Sequence, residues 1–304
     1  MESFALILIY LIIGTLLRRV RQFPADTGTV LNQYVIFVAL PALVLQKMPL
    51  LAFSSQLWIP AVLPWVLLLS TAGVVLLVGR LLHWDRNVVG ALLVVLPLGN
   101  TSFLGYPMVE AFYGDVGLPF AIIYDQAGSF LALVTYAAIL AAWFNPNADT
   151  RPSAGNILRK ILLFPAFIAL LLGLALKGWP YPPFMTLALD SLASTLVPVV
   201  MIAVGFQLRL KLETGQKTPL VMALGFKLLL MPALAAALIM LLQPQPLLAQ
   251  VVVLQAAMPP MITAGALAIG AGLAPRFVAA LVGLGLLGSF VTLPLWVWLL
   301  QAWV

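Results

Sequence analysis

Hydrogen-bonding side chains interrupt an apolar stretch of the sequence, "LPLGNTSFLGYPMVEAFYG", at residues 96–114. Asn100, Thr101 and Ser102 stand together there, and their amide and hydroxyl groups can both donate and accept hydrogen bonds. Residues that disfavour a helix surround them: Gly99, Gly105 and Pro107. We therefore expect a broken helix that presents polar groups to a bound solute.

Two charged side chains, Asp125 and Lys227, lie well inside other apolar segments. A charge at the centre of a membrane helix costs about 2.5–3.5 kcal/mol on insertion scales, so each needs a partner or a wet cavity. In one interpretation Lys227 attracts an anionic solute, while Asp125, with Gln126, binds a coupling proton or steadies the site. In the other, Asp125 and Lys227 form a structural ion pair.

The composition excludes several classes of protein. Of 304 residues, 63% are hydrophobic and 8% are charged, whereas soluble domains carry about 25% charged residues. Lipid must therefore be the main solvent of this chain. It has no cysteine and one histidine, His83, which leaves no disulfide, thiolate nucleophile or His-rich metal site. With no nucleophile–base pair either, we expect neither an enzyme nor a bound cofactor.

About 20 apolar residues cross a bilayer as a helix, and ten segments qualify. Loops rich in polar residues, proline or glycine separate them, such as "FNPNADTRPSAGN". The predicted spans are 2–17, 31–48, 57–82, 88–113, 118–144, 157–177, 184–208, 219–242, 247–272 and 276–302.

The basic residues of the loops predict the orientation. Twelve lie on one side: Arg18, Arg19, Arg21, Arg80, Arg86, Arg151, Arg159, Lys160, Arg209, Lys211, Lys217 and Arg276. Lys47 and Lys177 lie on the other. The first side is therefore expected to be cytoplasmic, with both termini outside the inner (cell) membrane. The net charge of +6 then reflects topology, and no nucleic-acid partner is expected beside the membrane lipid.

A shift of 157 residues aligns two halves of the sequence, 1–144 and 157–304, across a short linker at 145–156. Pro41 falls on Pro198, and Gly99–Phe103 falls on Ala256–Pro260 in "AAMPP". Each half holds five predicted spans, so the second must be inverted relative to the first. The expected fold is all-α, with two inverted repeats, as in many secondary transporters.

The matched breaks in spans 4 and 9 predict the binding site. Non-helical backbone at membrane depth is tolerated only inside protein or beside a wet cavity, and the second half-helices would point positive N-termini at the crossing. The candidate substrate-binding residues are Asn100, Thr101, Ser102, Lys227, Gln255, Met258, Pro259, Pro260 and Thr263.

The motifs around both breaks resemble those of the auxin efflux carrier family. "LGNTSFLGYPMVEAFYG" with "YDQAGSFLALVTY" is similar to its first-half signature, and "LQAAMPPMITAGALAIGAGLAP" with "GLGLLGSFVTLPLW" to its second. The resemblance implies ten helices in inverted repeats, with spans 4 and 9 broken and crossed, in a fold similar to sodium/proton antiporters and bile-acid symporters. It also implies a homodimer and an elevator motion of spans 3–5 and 8–10 against a scaffold of spans 1, 2, 6 and 7, which contains Pro41 and Pro198.

Family members carry small organic anions, including auxin in plants and dicarboxylates in bacteria. The linker at 145–156 is far shorter than the cytosolic loop of many plant members, which favours a bacterial-type member. Met258–Met261 stands where many plant members have an Asn-like polar group, which weighs against auxin as the solute. Two alternatives stay open: a proton- or sodium-coupled carrier with Asp125 as the ion site, and a membrane enzyme.

Overall fold

A computed structural model describes residues 2–51, 54–145, 153–208 and 216–303, and within these ranges the chain is helical without a β-strand. We number thirteen helices in chain order. They are α1 (Glu2–Leu17), α2 (Thr27–Leu50), α3 (Trp58–Leu81), α4 (Arg86–Val95), α5 (101–113), α6 (Asp115–Phe144), α7 (Ala154–Leu162), α8 (Pro165–Ala175), α9 (Pro183–Gln207), α10 (Lys217–Leu242), α11 (Pro246–Ala256), α12 (Ile262–Gly270) and α13 (Pro275–Trp303).

Six of these helices are long and apolar enough to cross a membrane: α2, α3, α6, α9, α10 and α13. Large apolar side chains on them point outward, and Leu50 and Phe184 are each 75% exposed while Leu241 is 81% exposed. Such a surface needs lipid rather than water around it. The helix bounds follow the predicted segments within a few residues, although α1, α4 and α11 are shorter apolar helices.

The segment predicted as one span at 157–177 is bent. Helices α7 and α8 meet at an angle of 59°, and together they pass the same length and composition test as a seventh candidate span. Pro165 begins α8, and the residue before a proline disfavours helical backbone, which explains why Phe164 is extended. Arg151, Arg209 and Lys211 of the charge count, and most of the linker 145–156, lie outside the described residues.

The chain divides into two compact units. The first unit consists of Met1–Ser55, Ser102–Ile122 and Arg159–Leu208, and the second of Gln56–Thr101, Ile123–Leu158 and Arg209–Val304.

In the first unit, α1 packs closely along the second half of α9. A Cβ atom at Gly205 would lie 2.1 Å from the Leu11 carbonyl oxygen, and one at Gly14 would lie 2.1 Å from that of Ile202. Thr15 uses this proximity, because its hydroxyl donates to the Leu11 carbonyl at 3.0 Å and to the Gly205 carbonyl at 3.2 Å. Glycine at these two positions therefore sets the distance between the helices.

In the second unit, α4 lies inside the apolar core. Val88 and every residue from Gly90 to Val95 are buried, and the core around them draws on α3, α12 and α13. A helix that is apolar on all sides is surrounded by protein or by lipid, and the burial of these residues shows that protein surrounds α4. This position holds the end of α4, and the break that follows it, within the second unit.

Replacement of Gly205 by alanine should destabilise the protein by about 1–3 kcal/mol, because overpacking against a backbone carbonyl forces the helices apart. Gly225→Ala is the matched control: Gly225 ends the first helical stretch of α10, and a Cβ there meets nothing within 4 Å. The control should leave stability unchanged or raise it. Thermal unfolding in detergent measures both, and equal melting temperatures for the two variants would contradict the close approach.

Candidate functional site

Two helix breaks mark the centre of the second unit. Helix α4 ends at Val95 and a new helix begins at Thr101, while α11 ends at Ala256 and α12 begins at Ile262. The breaks therefore occupy residues 96–100 and 257–261, in agreement with the two breaks predicted from the shifted alignment.

The two breaks pair with each other through backbone hydrogen bonds. The Asn100 N–H donates to the Pro259 carbonyl at 2.8 Å, and the Met261 N–H donates to the Leu98 carbonyl at 3.0 Å. Gly99 and Pro260 form the antiparallel bridge between them. Pro259 and Pro260 have no N–H group and cannot donate a hydrogen bond. In this pattern the donors are the N–H groups of Asn100 and Met261, so neither proline has to donate.

Small residues allow the breaks to approach. A Cβ atom at Gly99 would lie 3.3 Å from the Met258 Cβ, and one at Gly285 of α13 would lie 2.6 Å from the Pro260 Cδ. The second contact is with a rigid ring that cannot move aside. Gly285 is thus a site residue that the sequence analysis missed, and its only signal was the glycine-rich "GLGLLGS".

A buried polar cluster surrounds Asp125 beside the paired breaks. The Thr101 hydroxyl donates to Asp125 Oδ1 at 2.5 Å, and Gln126 Nε2 donates to Asp125 Oδ2 at 2.8 Å. Gln255 Nε2 reaches the Thr101 carbonyl at 3.4 Å. These four side chains are fully buried. The structure therefore brings together five predicted residues, counting Asn100, from three separate stretches of the chain.

Three buried polar atoms of this cluster have no hydrogen-bond partner. They are Nδ2 of Asn100, a donor, and Oε1 of Gln126 and of Gln255, both acceptors. A buried polar atom without a partner costs roughly 1–3 kcal/mol, and such atoms in a native protein call for an explanation. A solute that both donates and accepts hydrogen bonds would satisfy all three.

Four charged and polar residues of the candidate site lie in π-helical turns. Thr101 begins the turn Thr101–Gly105, Asp125 and Gln126 belong to Tyr124–Phe130, and Lys227 belongs to Phe226–Leu230. Single π-helical turns inside α-helices occur frequently at functional sites, since they displace a side chain from its regular position.

Two tryptophan side chains cover two of these turns. The sequence analysis did not select either tryptophan. Trp65 Nε1 donates to the Ala127 carbonyl at 2.9 Å, and Trp296 Nε1 donates to the Leu228 carbonyl at 3.0 Å. A π-helical turn disturbs the regular pairing of carbonyl groups, and each indole donates to one of the carbonyls within the turn. The two tryptophans thereby stabilise the segments that hold Asp125 and Lys227.

Lys227 is fully buried and makes its hydrogen bond within its own helix, from Nζ to Met231 Sδ at 3.1 Å. Among the described residues no carboxylate lies within ion-pairing distance of its Nζ. The structural ion pair with Asp125 that the sequence left open is therefore not formed. A buried amino group whose hydrogen bond goes to a thioether, a weak acceptor, can still bind an anion or a polar solute.

Several predicted residues are not part of this buried cluster. Thr263, the second residue of α12, is exposed. Ser102, Gly105 and Pro107 belong to the first unit. Gly105 and Pro107 were predicted to break the helix, which is wrong: α5 continues through both, because Pro107 stands at the start of an α-helical stretch, where no N–H is required.

The first unit has a cavity of its own. It has a volume of about 280 Å³, and its lining includes Pro107 and Pro198 with the polar side chains of Tyr10, Glu110 and Ser194. Pro41 lies in α2 of the same unit. In the same unit Lys47 pairs with Asp115 at 2.7 Å, so one of the two basic residues predicted on the outer side forms an ion pair.

Comparison with known proteins identifies the family of the chain. The family model described as "Membrane transport protein" matches residues 1–297. The chain belongs to that family, the auxin efflux carriers. This confirms the resemblance seen in the sequence.

Two archaeal relatives of this auxin efflux carrier family member span nearly its full length. An uncharacterized transporter of Methanothermobacter thermautotrophicus is 28% identical over 299 residues, which cover 97% of this chain and 96% of the relative. An uncharacterized transporter of Methanocaldococcus jannaschii is 27% identical over 312 residues, which cover 99% and 98%. Both names point to transport rather than catalysis.

The Thr101 hydroxyl can be tested by two substitutions. Thr101→Val should destabilise the protein by about 1–3 kcal/mol, because it leaves a buried Asp125 oxygen without this donor. Thr101→Ser keeps the hydroxyl and should remain within about 1 kcal/mol of the wild type, since it loses one methyl group. Thermal unfolding of the purified protein compares them, and a valine variant as stable as the serine variant would show that this hydrogen bond contributes nothing.

Proposed function

We propose that this auxin efflux carrier family member is a secondary transporter that moves a small organic anion, such as a carboxylate, by elevator-type alternating access. One observation carries the proposal: two broken helices pair in the interior of an apolar unit and leave buried polar atoms of Asn100, Gln126 and Gln255 without partners. Broken helices of this kind form the solute sites of many secondary transporters.

The helix lengths support ten spans as two inverted repeats. At 1.5 Å per residue, the 10 residues of α4 and the 11 of α11 reach about half of a 30 Å hydrocarbon core. Each therefore needs the helix that follows its break to complete a span. These two broken spans, α1, the segment that contains α8 and the six long helices make ten, with both termini outside.

Three donors in the second unit favour an anion. Asn100 Nδ2 is unpaired, Lys227 has no carboxylate partner among the described residues, and the first turn of α12 has N–H groups without intrahelical acceptors. A carboxylate that leaves water for an apolar protein interior requires such compensation. The anion is placed by this proposal at the paired breaks, with α12 and Lys227 as its electrostatic support.

A cation-coupled carrier is the second candidate, and a separate observation favours it. Asp125, Thr101 and the unpaired Oε1 atoms of Gln126 and Gln255 form a set of oxygen ligands, and oxygen atoms suit hard cations such as Na⁺ or a proton. An anion beside the Asp125 carboxylate would be repelled unless a cation accompanied it. Asp125 would then bind the coupling ion.

Uptake into proteoliposomes tests the proposed substrate class. A panel of radiolabelled mono- and dicarboxylates, offered with and without proton and sodium gradients, should reveal at least one that is taken up with saturation. Asn100→Ala should lower that uptake at least tenfold, because a buried donor to the solute is lost, whereas Gln301→Ala, an exposed position, should not. If no carboxylate is moved or bound by the folded protein, the substrate class is wrong.

The two candidates differ in which charge they require. If an anion is bound without a coupled cation, Lys227→Ala should abolish uptake while Asp125→Asn leaves it largely intact. If Asp125 binds a coupling cation, Asp125→Asn should abolish uptake and its dependence on the ion gradient, and Lys227→Ala should be tolerated. Initial uptake rates at several gradient strengths, on variants with wild-type melting temperatures, separate these outcomes.

A further inference from the structure

Helix α7, Ala154–Leu162, has no buried residue. Leu158 and Leu162 are 56% and 50% exposed, while Ile157 and Ile161 are half-buried. At 100° per residue these four side chains fall within one arc of the helix. The apolar face of α7 is therefore largely uncovered by protein.

The opposite face of α7 is polar and basic. Asn156, Arg159 and Lys160 fall on the arc that faces away from the four apolar side chains, and all three are exposed. No acidic residue occurs in the helix. A short helix with apolar residues on one face and basic residues on the other is typical of helices that lie in a membrane interface.

The connection to α8 fixes where this helix can lie. Helix α8 is apolar and begins at Pro165, and α7 departs from its direction by 59°. A bilayer that contains α8 must have its surface within a few residues of Leu162. Because α7 turns aside at that point, its apolar face can enter the acyl-chain boundary while its basic face stays among the headgroups.

We propose that α7 is an interfacial helix that binds anionic phospholipids, with Leu158 and Leu162 in the acyl-chain boundary and Arg159 and Lys160 on the headgroup phosphates. The partner is identified by charge complementarity: two basic side chains without an acidic neighbour in the helix meet a negatively charged leaflet. Each basic side chain near such a surface favours binding by roughly fivefold. This inference does not depend on which solute the protein carries.

The absence of cysteine allows single-cysteine fluorescent labels to measure the position of each face. An environment-sensitive dye on Leu158→Cys or Leu162→Cys, in the full chain reconstituted into vesicles, should emit at the short wavelengths typical of an apolar environment. The same dye on Asn156→Cys should emit as in water. Equal emission from both faces would overturn the interfacial position.

Brominated lipids test the preference for anionic headgroups. In vesicles of equal phosphatidylglycerol and phosphatidylcholine content, brominated phosphatidylglycerol should quench the dye at position 158 several-fold more than brominated phosphatidylcholine. Adding Arg159→Gln with Lys160→Gln should abolish this difference, whereas Arg19→Gln with Arg21→Gln, two exposed basic residues elsewhere in the chain, should preserve it. Equal quenching by both lipids while Arg159 and Lys160 are present would disprove a specific site on α7. Loss of the preference in the Arg19→Gln and Arg21→Gln control would disprove it as well.

Discussion

The backbone pairing of the two helix breaks is the interaction on which the candidate site depends. Without it, the carbonyls of Leu98 and Pro259 and the N–H groups of Asn100 and Met261 would be buried in apolar surroundings with no partner. The pairing also fixes the position of Thr101, which follows the first break directly. From there its hydroxyl reaches Asp125 and its carbonyl accepts from Gln255.

The polar cluster is stabilised only in part. Asp125 accepts hydrogen bonds from Thr101 and Gln126, so the carboxylate is held in one orientation. The amide atoms of Asn100, Gln126 and Gln255 without partners carry a free-energy cost that a bound solute or ion would remove. This combination of a rigid frame and unmet hydrogen bonds suits a transporter, whose site must replace the hydration of its solute and then release it.

The lipid environment explains the rest of the surface. Helix α4 is buried on every side, the long helices expose leucine and phenylalanine outward, and α7 separates an apolar face from a basic one. The basic residues of α7 count toward the predicted cytoplasmic side whether the helix crosses the membrane or lies along it. Hydropathy therefore could not distinguish the two cases, and the 59° bend between α7 and α8 is the observation that favours the proposed interfacial position.

The sequence by itself determined that this is a membrane protein, where its helices lie and where two of them break. Composition, the length of apolar segments and the positions of proline and glycine act locally along the chain, so they can be read without the fold. The sequence also selected Asn100, Thr101, Asp125, Gln126 and Gln255. Only the tertiary structure decided which of these groups meet, that Lys227 has no ion pair with Asp125, that Thr263 is exposed, and that Gly285, Trp65 and Trp296 support the candidate site. Those outcomes depend on the rotation and spacing of helices far apart in sequence, where a shift of one residue turns a side chain by about 100°.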